Sequence, residues 1–92
     1  MYKIIDKSGN GKTSRLMLLT KEKNGILVCS NPEAMKVKAY SYGLEDIEII
    51  SYFDYINDLD WYNRKPIFID ELEDFLKQVY SSILGFSLTI ED

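Results

Sequence analysis

Ser8-Gly9-Asn10-Gly11-Lys12-Thr13 sets two glycines, a lysine and a hydroxyl side chain between a segment that reads as a strand and one that reads as a helix. Glycines let a backbone curl until its N–H groups converge on phosphate oxygens. A helix starting near Lys12 adds the positive end of its dipole. The bland reading of the same residues is a glycine-rich turn. A second segment lies 58 residues after Lys12, where the apolar run Ile67-Phe68-Ile69 ends in Asp70-Glu71. Taken alone, such a pair of acids equally suits the first turn of a helix. The chain has no His and a single cysteine, Cys29. An internal disulfide is therefore excluded, and a zinc site or a Cys–His nucleophile nearly so. Any catalysis falls to carboxylates, lysines, hydroxyls or a metal held by oxygen. Cys29 sits in an apolar run and is expected to be a buried thiol.

These residues need elements to position them. Tyr2–Ile5 reads as a strand and Asp6–Thr13 as a loop. Ser14–Lys23 reads as a helix, stopped by Asn24-Gly25, which suits a left-handed cap. Ile26–Cys29 is apolar throughout, as a strand buried on both faces should be. Ser30-Asn31-Pro32 offers a cap for a helix over Glu33–Tyr42, which Gly43 ends. Ile47–Ser51 reads as a strand, Tyr52–Leu59 as a short helix and Asp60–Lys65 as a polar connection. Pro66–Ile69 is the strand that ends at Asp70. Glu71–Ser82 is the most amphipathic helix, and Phe86–Ile90 closes the chain as a strand. Alternation at this spacing predicts an α/β fold of one domain over residues 1–92. It is a three-layer arrangement, with a mostly parallel five-stranded sheet between helices. Ligands on such sheets sit beyond the carboxyl ends of the strands.

The loop Ser8–Thr13 resembles the Walker A loop of P-loop nucleotide phosphatases, and Ile67–Glu71 looks like a Walker B strand. The resemblance implies binding of ATP or GTP with Mg²⁺. Ser8, Gly9, Asn10, Gly11, Lys12, Thr13 and Ser14 would form the phosphate loop. Lys12 would sit on the β- and γ-phosphates, Thr13 and Asp70 would hold Mg²⁺, and Glu71 would polarise the attacking water. One departure stands out: the full pattern wants a glycine five residues before Gly11, where this chain has Asp6. The order of segments is similar to the first domain of superfamily 1 and 2 helicases. By that analogy a phosphate-sensing position falls near Thr89. The retained motifs in so short a chain look like those of small phage-encoded P-loop proteins. In relatives of this kind an extra strand, here Phe86–Ile90, separates the two Walker strands. That leaves Tyr2–Ile5 as an uncovered edge, open to pairing with a second copy.

Helicases close a second domain on the nucleotide and supply an arginine finger, and 92 residues leave no room for one. Arg15 and Arg64 are the only arginines and would have to act in trans, so hydrolysis by the isolated chain is expected to be weak. The net charge of −4 argues against a nucleic-acid binder acting alone. It splits unevenly: residues 1–44 carry 8 basic and 3 acidic side chains, residues 45–92 carry 3 basic and 12 acidic. Tyr52, Phe53, Tyr55, Trp61 and Tyr62 share one stretch with Asp54, Asp58 and Asp60. Base stacking would want Lys or Arg there. Core packing with a protein-contact patch fits better, which makes the alternative a binding module that no longer uses nucleotide and contacts a host or viral protein. No apolar run is long enough to span a membrane, so a cytoplasmic protein is expected.

Overall fold

A strand apolar at every position must be covered on both faces, and Ile26-Leu27-Val28-Cys29 is buried along its whole length. The computed structural model describes residues 3–6, 9, 11–82, 84, 85, 87 and 89. Its elements run α1 (Lys12–Glu22), β1 (Ile26–Cys29), α2 (Pro32–Ser41), β2 (Glu48–Ser51), α3 (Tyr52–Asn57), α4 (Leu59–Tyr62), β3 (Ile67–Ile69) and α5 (Leu72–Val79). β1 is central in a sheet of order β2-β1-β3, parallel on both sides. Leu27 lies opposite Ile49 and Phe68, and Val28 opposite Ile50 and Ile69.

Alternate residues of β1 feed two cores. Leu27 and Cys29 pack with Met17 of α1 and with Met35 and Ala39 of α2. Ile26 and Val28 pack with Tyr52 of α3 and Phe75 of α5. The Tyr52 and Phe75 rings meet edge to face, with centroids 5.2 Å apart. Each fully buried apolar side chain of this size contributes about 1.5–3 kcal/mol.

The turns that aim the strands are legible in the chain. Asn24 takes a left-handed φ of 53°. The Gly25 N–H then donates to the Thr20 carbonyl at 2.9 Å and the Asn24 N–H to Lys21 at 3.2 Å, which closes α1. Gly25 has no room for a side chain: a Cβ there would lie 2.6 Å from the Pro66 carbonyl oxygen. α2 starts with Pro32 in its first turn, and the Asn31 side chain accepts from the Ala34 N–H at 3.2 Å.

Among the described residues the sheet has three strands, which corrects the five expected. Residues 3–6 carry no strand, and neither do residues 84, 85, 87 and 89; Tyr2, Phe86, Leu88 and Ile90 lie outside the described residues. An apolar run becomes a strand only where something covers it. Ile5 is 60% exposed, so the first of these segments lacks that cover at its end. The edges of the described sheet are β2 and β3, not the Tyr2–Ile5 segment expected to pair with a second copy. α4 occupies the stretch read as a polar connection, and α5 stops at Val79, short of Ser82. Among the described residues no helix is long and apolar enough to cross a membrane.

Candidate functional site

The glycine-rich loop meets α1 at Gly11, which caps the helix at φ 76° with no side-chain cap bond. A helix start leaves N–H groups without intrahelical partners, and no capping side chain competes for them here. Ser14 Oγ donates to the Gly11 carbonyl at 3.0 Å and tightens the turn. Lys12 Nζ donates to the Asp6 carbonyl oxygen at 2.7 Å, across the loop. The Asp6 carboxylate, which stands where the P-loop pattern wants glycine, lies 3.2 Å from Arg15 Nη2. Its charge is therefore offset by a guanidinium one turn into α1.

β3 delivers the two acids. The Asp70 N–H donates to the Val28 carbonyl at 2.9 Å, extending the sheet pairing by one residue. Thr13 Oγ1 donates to Asp70 Oδ1 at 3.2 Å. Burial pushes the Asp70 carboxyl above the usual aspartate range; the Thr13 hydrogen bond opposes that, the Glu71 charge adds to it, and Lys38 and Lys12 oppose it. Glu71 sits in left-handed backbone at φ 55°, ψ 71°, uncommon for a residue with a side chain, and forms the N-cap of α5. Tyr52 holds this corner. Its hydroxyl donates to the Asp70 carbonyl at 2.7 Å and lies 3.2 Å from the Glu71 carbonyl. Burial, first, and the nearby Asp70 charge push the phenol well above its ordinary range, so it remains a donor.

A cleft of about 420 Å³ opens beside this junction, lined by Gly9, Gly11, Lys12, Thr13, Ser14, Lys38, Tyr42 and Glu71. It lies at the carboxyl end of β3 and the amino end of α1, where a parallel sheet presents its ligands. The structure thus gathers most of the residues singled out from the sequence. Ser8 and Asn10 lie outside the described residues. Thr89 is exposed, without regular structure, and does not line the cleft; its carbonyl accepts from Lys3 Nζ at 3.5 Å.

Neither arginine lines the cleft. Arg15 is paired with Asp6, and the Arg64 guanidinium stacks on Trp61 at 3.6 Å from the ring centroid. Lys38 and Tyr42 escaped the sequence reading, and Tyr52 was read there only as part of the aromatic stretch. Lys38 and Tyr42 stand one helical turn apart on α2, but nothing in the sequence separates Lys38 from its neighbour Lys36. Tyr52 carried a signal, since it directly follows a predicted strand end.

The donor set at the junction is a hydroxyl and a carboxylate, both oxygen. That suits Mg²⁺, which keeps several waters and takes few protein ligands. Among the described residues no three His, Cys, Asp or Glu side chains come together. Cys29 is buried, and burial pushes its thiol up to about 11, an inert state. A smaller cleft of about 220 Å³ at Thr20, Asn24 and Ile47 carries charges that already pair, Lys21 with Asp46 and Lys65 with Glu48. The chain matches no family model, and no curated protein or solved structure is significantly similar to it.

Proposed function

We propose that this chain is a cytoplasmic P-loop protein that binds a nucleoside triphosphate, ATP or GTP, together with Mg²⁺. The observation that carries the reading is the hydrogen bond between Thr13 and Asp70, two residues 57 apart in sequence. A glycine-rich turn with no ligand has no need of a carboxylate from the end of another strand. Thr13 and Asp70 would hold the metal, which supplies charge neutralisation on the phosphates when bound. Lys12 would bind the phosphate chain as a point charge. The backbone N–H groups at the start of α1 would orient it. Glu71 would accept a proton from water at its carboxylate. Hydrolysis by the isolated chain would be slow, because no arginine lines the cleft to stabilise developing charge. Calorimetric titration with Mg·ATP and Mg·GTP, beside Lys12→Ala, tests the reading; absence of saturable binding at millimolar nucleotide defeats it.

A second reading has its own observation. Phe53, Leu59 and Trp61 are exposed on α3 and α4, beside exposed Asp54, Asp58 and Asp60. A protein-contact patch of apolar centre and acidic rim fits that surface. It supports the alternative of a nucleotide-independent binding module. Partner capture unchanged by Lys12→Ala and by nucleotide would favour it.

A further inference from the structure

We infer that Lys38 of α2 is a second phosphate-binding cation, lining the same cleft as Lys12 and completing within this chain a site that α1 alone leaves half built. The inference rests on the nucleotide-binding reading and deepens it.

The lining of the cleft is asymmetric in origin. Gly9, Gly11, Lys12, Thr13 and Ser14 come from one continuous segment, and Glu71 follows β3. Lys38 and Tyr42 come from α2, a separate element that packs on the same sheet face as α1. An i, i+4 pair shares one helix face, so the packing that buries Met35 and Ala39 also carries Lys38 and Tyr42 to the cleft.

Lys38 has few other duties. Among the described residues its ammonium makes no hydrogen bond or ion pair. The other cations nearby are committed: Arg15 to Asp6, and Lys12 to the Asp6 carbonyl. Lys38 instead lines the cleft together with Lys12, Thr13 and Glu71. A cation without another partner among the described residues, in a cleft lined by the phosphate loop, is placed to meet the same phosphate chain. An oligophosphate is polyanionic, and one lysine neutralises only part of it. No arginine supplies the remainder.

Isothermal titration with Mg·ATP and with Mg-tripolyphosphate would measure wild type, Lys38→Ala, Lys36→Ala and Lys12→Ala. Lys36 lies on the same helix outside the cleft lining, so it removes an equal charge without the proposed contact. Tripolyphosphate has no base or ribose and isolates the phosphate contact. The inference predicts that Lys38→Ala weakens both ligands by about five- to tenfold while Lys36→Ala changes them less than about twofold, with the gap narrowing as salt rises. Equal, small effects of Lys38→Ala and Lys36→Ala, with Lys12→Ala still damaging, overturn this inference and leave the nucleotide-binding reading standing. No saturable binding by wild type overturns both. Thermal shift by tripolyphosphate gives a second readout, in which Lys38→Ala should lose most of the wild-type rise.

Discussion

Thr13 Oγ1 lies 3.2 Å from Asp70 Oδ1, joining the first turn of α1 to the end of β3. The contact gives a single oxygen-rich corner at the carboxyl end of the sheet. It also makes Asp70 a carboxylate with a cost. Burial raises its pKa, so the ionised form is disfavoured in the fold relative to the unfolded chain. The stability that protonated Asp70 contributes is complete below the ordinary aspartate value of 3.8 and is lost as pH rises through the higher folded value.

Asp70→Asn should therefore melt above wild type at neutral pH, with the difference closing as pH falls toward about 3. The same substitution should abolish the Mg²⁺ dependence of nucleotide binding. Melting curves across pH, paired with titrations with and without Mg²⁺, check both halves. A neutral-pH melting point below wild type would contradict the burial argument.

Tyr52→Phe removes one hydroxyl from a site buried to 1% exposure. The Asp70 carbonyl loses its 2.7 Å donor and the Glu71 carbonyl its 3.2 Å neighbour. The expected cost is about 1–2 kcal/mol in urea unfolding, with an unchanged m-value. Mg²⁺-dependent nucleotide affinity should fall as well, because the corner that aims Asp70 and Glu71 loosens. Loss of stability with unchanged affinity would make Tyr52 a packing residue only.

Glu71 separates strain from chemistry. Glycine adopts its left-handed φ of 55° without the Cβ clash, so Glu71→Gly should raise stability by about 1 kcal/mol. Glu71→Gln keeps the backbone cost and removes the basic carboxylate. Both variants should bind nucleotide and show no hydrolysis above background, read by phosphate release. Turnover by Glu71→Gln at the wild-type rate would remove Glu71 from the proposed chemistry.

Gly25→Ala tests the turn that feeds β1. A Cβ would meet the Pro66 carbonyl at 2.6 Å and the Phe68 ring at 2.8 Å. The N–H of Ile26 also donates to that same Pro66 carbonyl at 2.9 Å, so neither strand can shift freely. A loss of about 1–3 kcal/mol is expected in chemical denaturation. A neutral substitution would mean that β1 and β3 separate more easily than their packing implies.

The parts of the fold legible in the sequence are those with local physical causes. Ile26–Cys29 reads as buried because all four residues are apolar. Asn24-Gly25 and Asn31-Pro32 read as helix boundaries because their backbone preferences are specific. The N-terminal segment misled because Ile5 has the composition of a strand residue without the burial. The loop and the acids could be singled out in the sequence because their residue types are distinctive, and the fold brings Thr13 and Asp70 into contact. Lys38, Tyr42 and Tyr52 could not be placed there from sequence, because their positions depend on how α2 and α3 pack against the sheet. Asp6 read as a departure from the P-loop pattern, and only the fold shows Arg15 beside it.

Nucleotide binding at the Gly11–Thr13 loop is decided by calorimetric titration of wild type against Lys12→Ala with Mg·ATP and Mg·GTP. One saturable site is expected in wild type for at least one of the two nucleotides. Affinity should fall at least about tenfold in Lys12→Ala, whose fold should be retained by melting. Equal binding by the two proteins, or no binding by wild type at millimolar nucleotide, would contradict nucleotide binding at this loop.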